Sequence, residues 1–163
     1  MPRNVYSEIN LHITWHTKGR AAVIVDEIER QLVVFIQRKI AEASGVELQA
    51  IGGTAAHVHL AVSVPPTLNV SEWIGQIKGA SAHHINHRIA NRGVLEWQTD
   101  YGVVSFGTKG LPWVVEYGRN QKEHHARGST RDPLERVERV EARKRAEPDF
   151  SGVSREPAVK RLA

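Results

Sequence analysis

The chain has 163 residues, 40% of them hydrophobic and 25% charged, with 22 Lys and Arg against 18 Asp and Glu. Those values fit one compact domain with room for an appendage, and the net charge of +4 favours a polyanionic partner. With no cysteine present, disulfides, thiolate metal sites and cysteine nucleophiles are excluded, so any metal must be held by imidazole, carboxylate, amide oxygen or water. No apolar run approaches the roughly 20 residues of a membrane span, and nothing at the start reads as a signal peptide. The expected compartment is the cytoplasm, with no membrane partner.

"VYSEINLHITWHT" alternates strictly, with Ile9, Leu11, Ile13 and Trp15 on one side and Asn10, His12, Thr14 and His16 on the other. That is the period-two pattern of a strand with one apolar face. "DEIERQLVVFIQRKIAEASG" repeats Ile28, Leu32, Phe35, Ile36 and Ile40 at helical spacing, opens with acidic residues and closes at Gly45. "VELQAIGGT" and "HVHLAVSV" read as the second and third strands, the latter stopped by Pro65-Pro66. "NVSEWIGQIKGASAHHINHRIA" predicts a second helix, "WQTDYGVVSFG" a fourth strand and "LPWVVEYGRNQKEHHA" a third helix with Pro112 near its start. The order is that of an α+β, ferredoxin-like βαββαβ antiparallel sheet with an additional C-terminal helix. From about Gly128 the composition turns charge-rich. The chain is therefore divided into a domain over 1–127 and a charged tail over 128–163, partly helical or disordered, with Leu134, Val137 and Val140 able to form a short helix.

In the third strand Val58, Leu60, Val62 and Val64 point to the core, which leaves His57 and His59 together on the other face. Their Cα atoms are roughly 6.8 Å apart by strand rise, close enough for both rings to converge on one cation. Two exposed histidines on a solvated face is the competing reading. In the third helix Tyr117 and Gln121 are four residues apart on one face, with His124 and His125 a further turn along. An amide oxygen suits a hard cation, and a tyrosine one turn away suits a nucleophile.

The blocks "HITWHTKGR", "HVHLAVSVPP", "WIGQIKGASAHHIN", "WQTDYGVVSFG" and "VVEYGRNQKEHH" occur in the order seen in the insertion-sequence-200/605-like transposases, single-tyrosine enzymes of the HUH endonuclease superfamily. The chain resembles that family over roughly residues 5 to 126. The resemblance implies a DNA transposase that cuts and rejoins single-stranded DNA at hairpin-marked ends, through a 5′-phosphotyrosine intermediate. It makes Tyr117 the nucleophile and His57, His59 and Gln121 the ligands of a divalent metal, Mg²⁺ or Mn²⁺, with Mn²⁺ at least as effective because imidazole is a softer ligand than Mg²⁺ prefers. It also implies a homodimer, with the tyrosine helix exchanged between active sites.

Two positions depart from the family pattern. Ala56 stands where an Asp commonly precedes the first histidine, and Gly118 follows the tyrosine where an apolar helix-former is usual. The first removes a carboxylate that would orient a ligand, and the second makes for a more mobile helix. Lys18, Arg20, Lys78, Arg88 and Arg92 are candidate phosphate contacts, and Trp15 a candidate base-stacking ring where exposed. His83, His84 and His87 share a helical turn but have no evident fourth zinc ligand. A two-histidine phosphoesterase would need two H-x-(Ser/Thr) motifs, and only His12-Ile13-Thr14 supplies one. The remaining alternative is a domesticated, transposase-derived protein that binds DNA hairpins with little or no cleavage.

Overall fold

The computed structural model describes residues 5–136. Strands β1 (Asn10–His16), β2 (Glu47–Thr54), β3 (His57–Ser63) and β4 (Gly102–Phe106) form one sheet in the order β2-β3-β1-β4, with every neighbouring pair antiparallel. Helices α1 (Asp26–Ala41) and α2 (Val70–His84) connect them, so the expected βαββαβ order is present. After β4 come α3 (Leu111–Arg119), α4 (Gln121–Arg127) and α5 (Asp132–Glu135). Among the described residues, no helix is long and apolar enough to cross a membrane.

One face of the sheet carries the main core. Leu11, Ile13 and Trp15 of β1 and Val58, Leu60 and Val62 of β3 pack against Leu32, Ile36 and Ile40 of α1 and Trp73, Ile74 and Ile77 of α2. Each aliphatic side chain buried there contributes about 1.5–3 kcal/mol. Trp15 is fully buried, edge-on to Trp97, and so is a core ring with no face free for a base. The other sheet face is also covered. α3, α4 and α5 lie across it, so every residue of β1 is buried, His12, Thr14 and His16 included.

Several boundaries differ from the sequence reading for identifiable reasons. α2 ends at His84 and continues as a π-helical turn over Ile85–Ile89, closed by Ala90 N–H on the Ile85 carbonyl. β4 starts five residues later than expected. The Lys78 ammonium gathers the carbonyls of Gln98, Thr99 and Asp100 at 2.6, 3.0 and 3.1 Å, which makes that stretch a loop. The single helix expected over 111–126 is broken at Asn120, a poor helix former whose φ and ψ are −98° and 26°. The expected tail is not wholly free: Leu134 is buried and the segment through Glu135 packs on β1 and β4. Val137 and Val140, also assigned to that short helix, lie outside the described residues.

α3 is fixed to the sheet by a contact between two backbones. A Cβ on Gly52 would fall 1.9 Å from the Gly118 carbonyl oxygen, so β2 must carry glycine there. Gly118 is buried, and a Cβ of its own would meet the Ala50 methyl at 3.9 Å, an ordinary van der Waals contact. The close approach therefore demands glycine at position 52 and not at 118. Gly52→Ala is expected to lift α3 and lower stability by about 1–3 kcal/mol, whereas Gly118→Ala is tolerated; thermal melts of both variants test the pair.

Candidate active site

Period-two alternation puts His57 and His59 on the sheet face that α3–α5 cover, and both are buried, at 3% and 0% exposure. Each ring is held through Nδ1. His57 Nδ1 lies 2.9 Å from the Thr54 hydroxyl, and His59 Nδ1 lies 2.9 Å from His12 Nε2. Among the described residues, neither Nε2 atom has a hydrogen-bond partner. The orienting contact expected from an acidic residue at position 56 is therefore supplied to His57 by Thr54, which also accepts the Ala56 N–H at 3.3 Å.

Tyr117 comes down from α3 between Trp113 and His124, with ring centroids 5.6 and 4.7 Å away and nearly parallel planes. Its O–H donates to Glu135 Oε1 at 2.6 Å and its oxygen accepts the Arg131 N–H at 2.7 Å. The other Glu135 oxygen lies 3.4 Å from His59 Nε2, 3.8 Å from His57 Nε2 and 3.4 Å from His125 Nε2. His57, His59, His125 and Glu135 each offer one atom to a cluster spanning 4.8 Å, which could hold a metal ion. Gln121 is fully buried at the start of α4, against Tyr117. Its Nε2 donates to the Tyr117 carbonyl at 2.9 Å across the helix break, and its Oε1 has no partner among the described residues. Unpartnered, buried imidazole and amide acceptors are costly on their own. A hard-to-borderline divalent cation fits this donor set of nitrogens and oxygens.

The electrostatics keep the rings ready to act as ligands. Burial, with the neighbouring His59 charge, pushes His57 and His12 down to about 3. Burial and Arg20 take His16 to about 4, and burial lowers His59, with Glu135 opposing. Glu135 is down to about 2: burial works to raise it, but the close His59 and His57 imidazoles and the hydrogen bond from Tyr117 outweigh that. Burial and the Glu135 carboxylate push Tyr117 up to about 12, with Arg131 and Gln121 acting the other way. These shifts carry a stability consequence. His12, His16 and His57 favour the fold while neutral, so their contribution is present above 6.5 and is lost as pH falls toward 3. The Glu135 contribution is lost over the lower window, from 4.5 toward 2. The melting temperature is expected to fall continuously from pH 6.5 to pH 3, as a thermal-melt series would record.

The proposed phosphate contacts are scattered. Lys78 is buried and its three N–H groups are taken by backbone carbonyls, which makes it a structural residue and not a phosphate contact. Lys18 is exposed and ion-paired to Glu96. Arg20 is exposed, its Nη1 3.5 Å from His16 Nε2. Arg88 and Arg92 are exposed on and after the π-helical turn, whose Ile85 packs into the core on the sheet face opposite the histidines. The cations beside Tyr117 are Arg127 and Arg131, which line a groove of about 420 Å³ with Trp113, Tyr117 and His124. The His83 and His87 rings lie 4.4 Å apart, inclined by 36°, but no third ligand of the described residues joins them.

Residues 5–121 match the profile of the family described as Transposase IS200 like. The chain belongs to that family. Among its relatives is the transposase for insertion sequence element IS200 of Salmonella typhimurium, 27% identical over 122 residues that span 72% of this chain and 79% of the relative. The ISDra2 transposase TnpA of Deinococcus radiodurans is 30% identical over 83 residues, spanning 51% of this chain and 59% of its own. A solved structure described as a transposase of the same organism superposes with a TM-score of 0.57 at 25% identity, covering 73% of this chain and 97% of the other. A REP-associated tyrosine transposase bound to a REP hairpin superposes with a TM-score of 0.53 at 17% identity over 97% and 99% of the two chains, a likeness of fold. Family membership makes the chain a transposase, with the DNA endonuclease and strand-transfer activity that the family implies.

Proposed function

We propose that this transposase cuts and rejoins single-stranded DNA beside a hairpin, with Tyr117 as the nucleophile. The observation that carries the reading is the Tyr117 hydroxyl bound to one oxygen of Glu135 while the other oxygen faces three imidazole Nε2 atoms. A phenol beside the buried imidazoles of His57 and His59, whose burial holds them neutral, suits phosphodiester transfer.

In the reaction, the Tyr117 oxygen loses its proton and forms a bond to phosphorus. The P–O3′ bond breaks, the leaving oxygen takes up a proton as a free 3′-OH, and the 5′-phosphate stays on the tyrosine. The exchange of one phosphodiester for another conserves bond energy, so a second 3′-OH can reverse it. His57, His59 and Gln121 would hold the divalent cation, with His125 and Glu135 within reach of the same point. When bound there, Mg²⁺ or Mn²⁺ neutralises phosphate charge and stabilises the developing oxyanions. Glu135, ionised down to about 2, is a poor base for a phenol at about 12, so its contact holds Tyr117 protonated. That contact must open before a phosphate reaches the hydroxyl. Arg127, paired here with Glu123, and Arg131, seated over the Trp113 ring, line the groove that incoming phosphates would enter. Arg20, beside His16, and Lys18, Arg88 and Arg92 are candidate contacts outside that groove. A homodimer belongs to the same reading and is tested by light scattering at micromolar concentration.

The deciding assay incubates the full chain with a 5′- or 3′-labelled single-stranded hairpin oligonucleotide and Mn²⁺. An SDS-resistant adduct whose mass maps to the peptide containing Tyr117 supports the reading. Tight hairpin binding without adduct on any element-end sequence would favour the domesticated hairpin-binding alternative.

A further inference from the structure

Strand β1 contributes a histidine to the site that the transfer reaction does not use directly. His12 faces Ala61 in the register, so its side chain reaches diagonally across the pair to His59. The rings are 4.9 Å apart with planes inclined by 39°, and Nε2 of His12 lies 2.9 Å from Nδ1 of His59. Both are buried, at 1% and 0% exposure. For His59 to offer a lone pair at Nε2, its proton must sit on Nδ1, and a buried N–H needs an acceptor. Among the described residues, the atom within hydrogen-bond reach of that Nδ1 is His12 Nε2.

We propose that His12 is a positioning residue: its Nε2 accepts the Nδ1–H of His59 and fixes the tautomer and tilt that aim His59 Nε2 into the metal site. The proposal rests on reading that site as a metal centre. His12 does for His59 what the Thr54 hydroxyl does for His57. In both cases a neutral partner stands where a carboxylate often orients a ligating histidine. A neutral acceptor orients the ring without adding a negative charge, and it leaves Glu135 the nearby carboxylate. With Nε2 accepting, the His12 proton sits on Nδ1, which is buried and has no partner among the described residues, a cost that metal binding through His59 must offset.

The test is Mn²⁺ titration of the full chain by calorimetry, comparing the native protein with His12→Gln, His12→Asn and His12→Phe. Glutamine places a polar atom at the Nε2 position, and asparagine reaches only the Nδ1 position. His12→Phe and His12→Asn are expected to weaken Mn²⁺ binding by about 10- to 100-fold, while His12→Gln retains most of it. Hairpin binding in chelator is expected to be unchanged in all three. If His12→Phe fails to fold, the Gln and Asn pair decides alone. Native-strength Mn²⁺ binding by folded His12→Asn overturns the proposal, as do equal losses in His12→Gln and His12→Asn. Absence of Mn²⁺ binding by the native chain overturns the metal reading itself, and the proposal with it.

Discussion

Tyr117→Phe is expected to form no covalent protein–DNA adduct at any pH or Mn²⁺ concentration, while still folding and binding the hairpin. Phenylalanine keeps the ring between Trp113 and His124, so the stacking that seats the side chain survives. What is lost is one hydroxyl with two hydrogen bonds, to Glu135 and from the Arg131 N–H. Leaving those partners short of one contact costs about 1–3 kcal/mol, a shift a thermal melt resolves without loss of the folded state. The chemical loss is complete, because water or another hydroxyl attacking the same phosphate yields no protein-linked product. Native cleavage should also rise with pH through the neutral range, because the phenol is held protonated up to about 12 and the phenolate fraction grows with every unit below that. An adduct that persists in Tyr117→Phe would overturn the assignment of the nucleophile.

Much of this site could be read from the chain alone, and the unread part has a common cause. His57 and His59 follow from strand alternation, and Tyr117 and Gln121 from a four-residue helical step that survives even the break at Asn120. Both are local periodicities. His12 was visible in β1 on the polar phase of the alternation, but no local rule says which residue of the next strand it meets; that depends on the register between β1 and β3. His125 is four residues past Gln121 and eight past Tyr117, so helical phase could have added it to the set. Glu135 had no such signal. It sits in a charge-rich segment, and only the return of that segment over β1 and β4 brings it to the imidazoles. Lys78 misleads for the opposite reason: a lysine on an amphipathic helix reads as a solvated cation. Only the loop at Gln98–Asp100, folded over its ammonium, shows that its donors are occupied.

His57→Ala separates a metal ligand from a structural histidine, and its expected effect is second only to loss of the nucleophile. Truncation removes one of the two unpartnered Nε2 atoms on β3 and frees the Thr54 hydroxyl, which lies near enough to the surface to be rehydrated. The fold should therefore survive with a loss of roughly 1–3 kcal/mol. Cleavage should fall by about 10³-fold at sub-millimolar Mn²⁺, as expected when several kcal/mol of charge stabilisation is withdrawn. Hairpin binding in chelator should be nearly unchanged, because the groove cations Arg127 and Arg131 are untouched. The distinguishing measurement is the Mn²⁺ dependence. A missing ligand moves the half-saturating concentration upward, so cleavage partly recovers at high Mn²⁺. A residue that only supports the fold would leave that midpoint where it was and lower the plateau. His83→Ala, on an exposed turn of α2, should change neither quantity and serves as the control. If hairpin binding collapses in His57→Ala while the Mn²⁺ midpoint stays fixed, the histidine is structural and the metal centre must be sought elsewhere in the cluster.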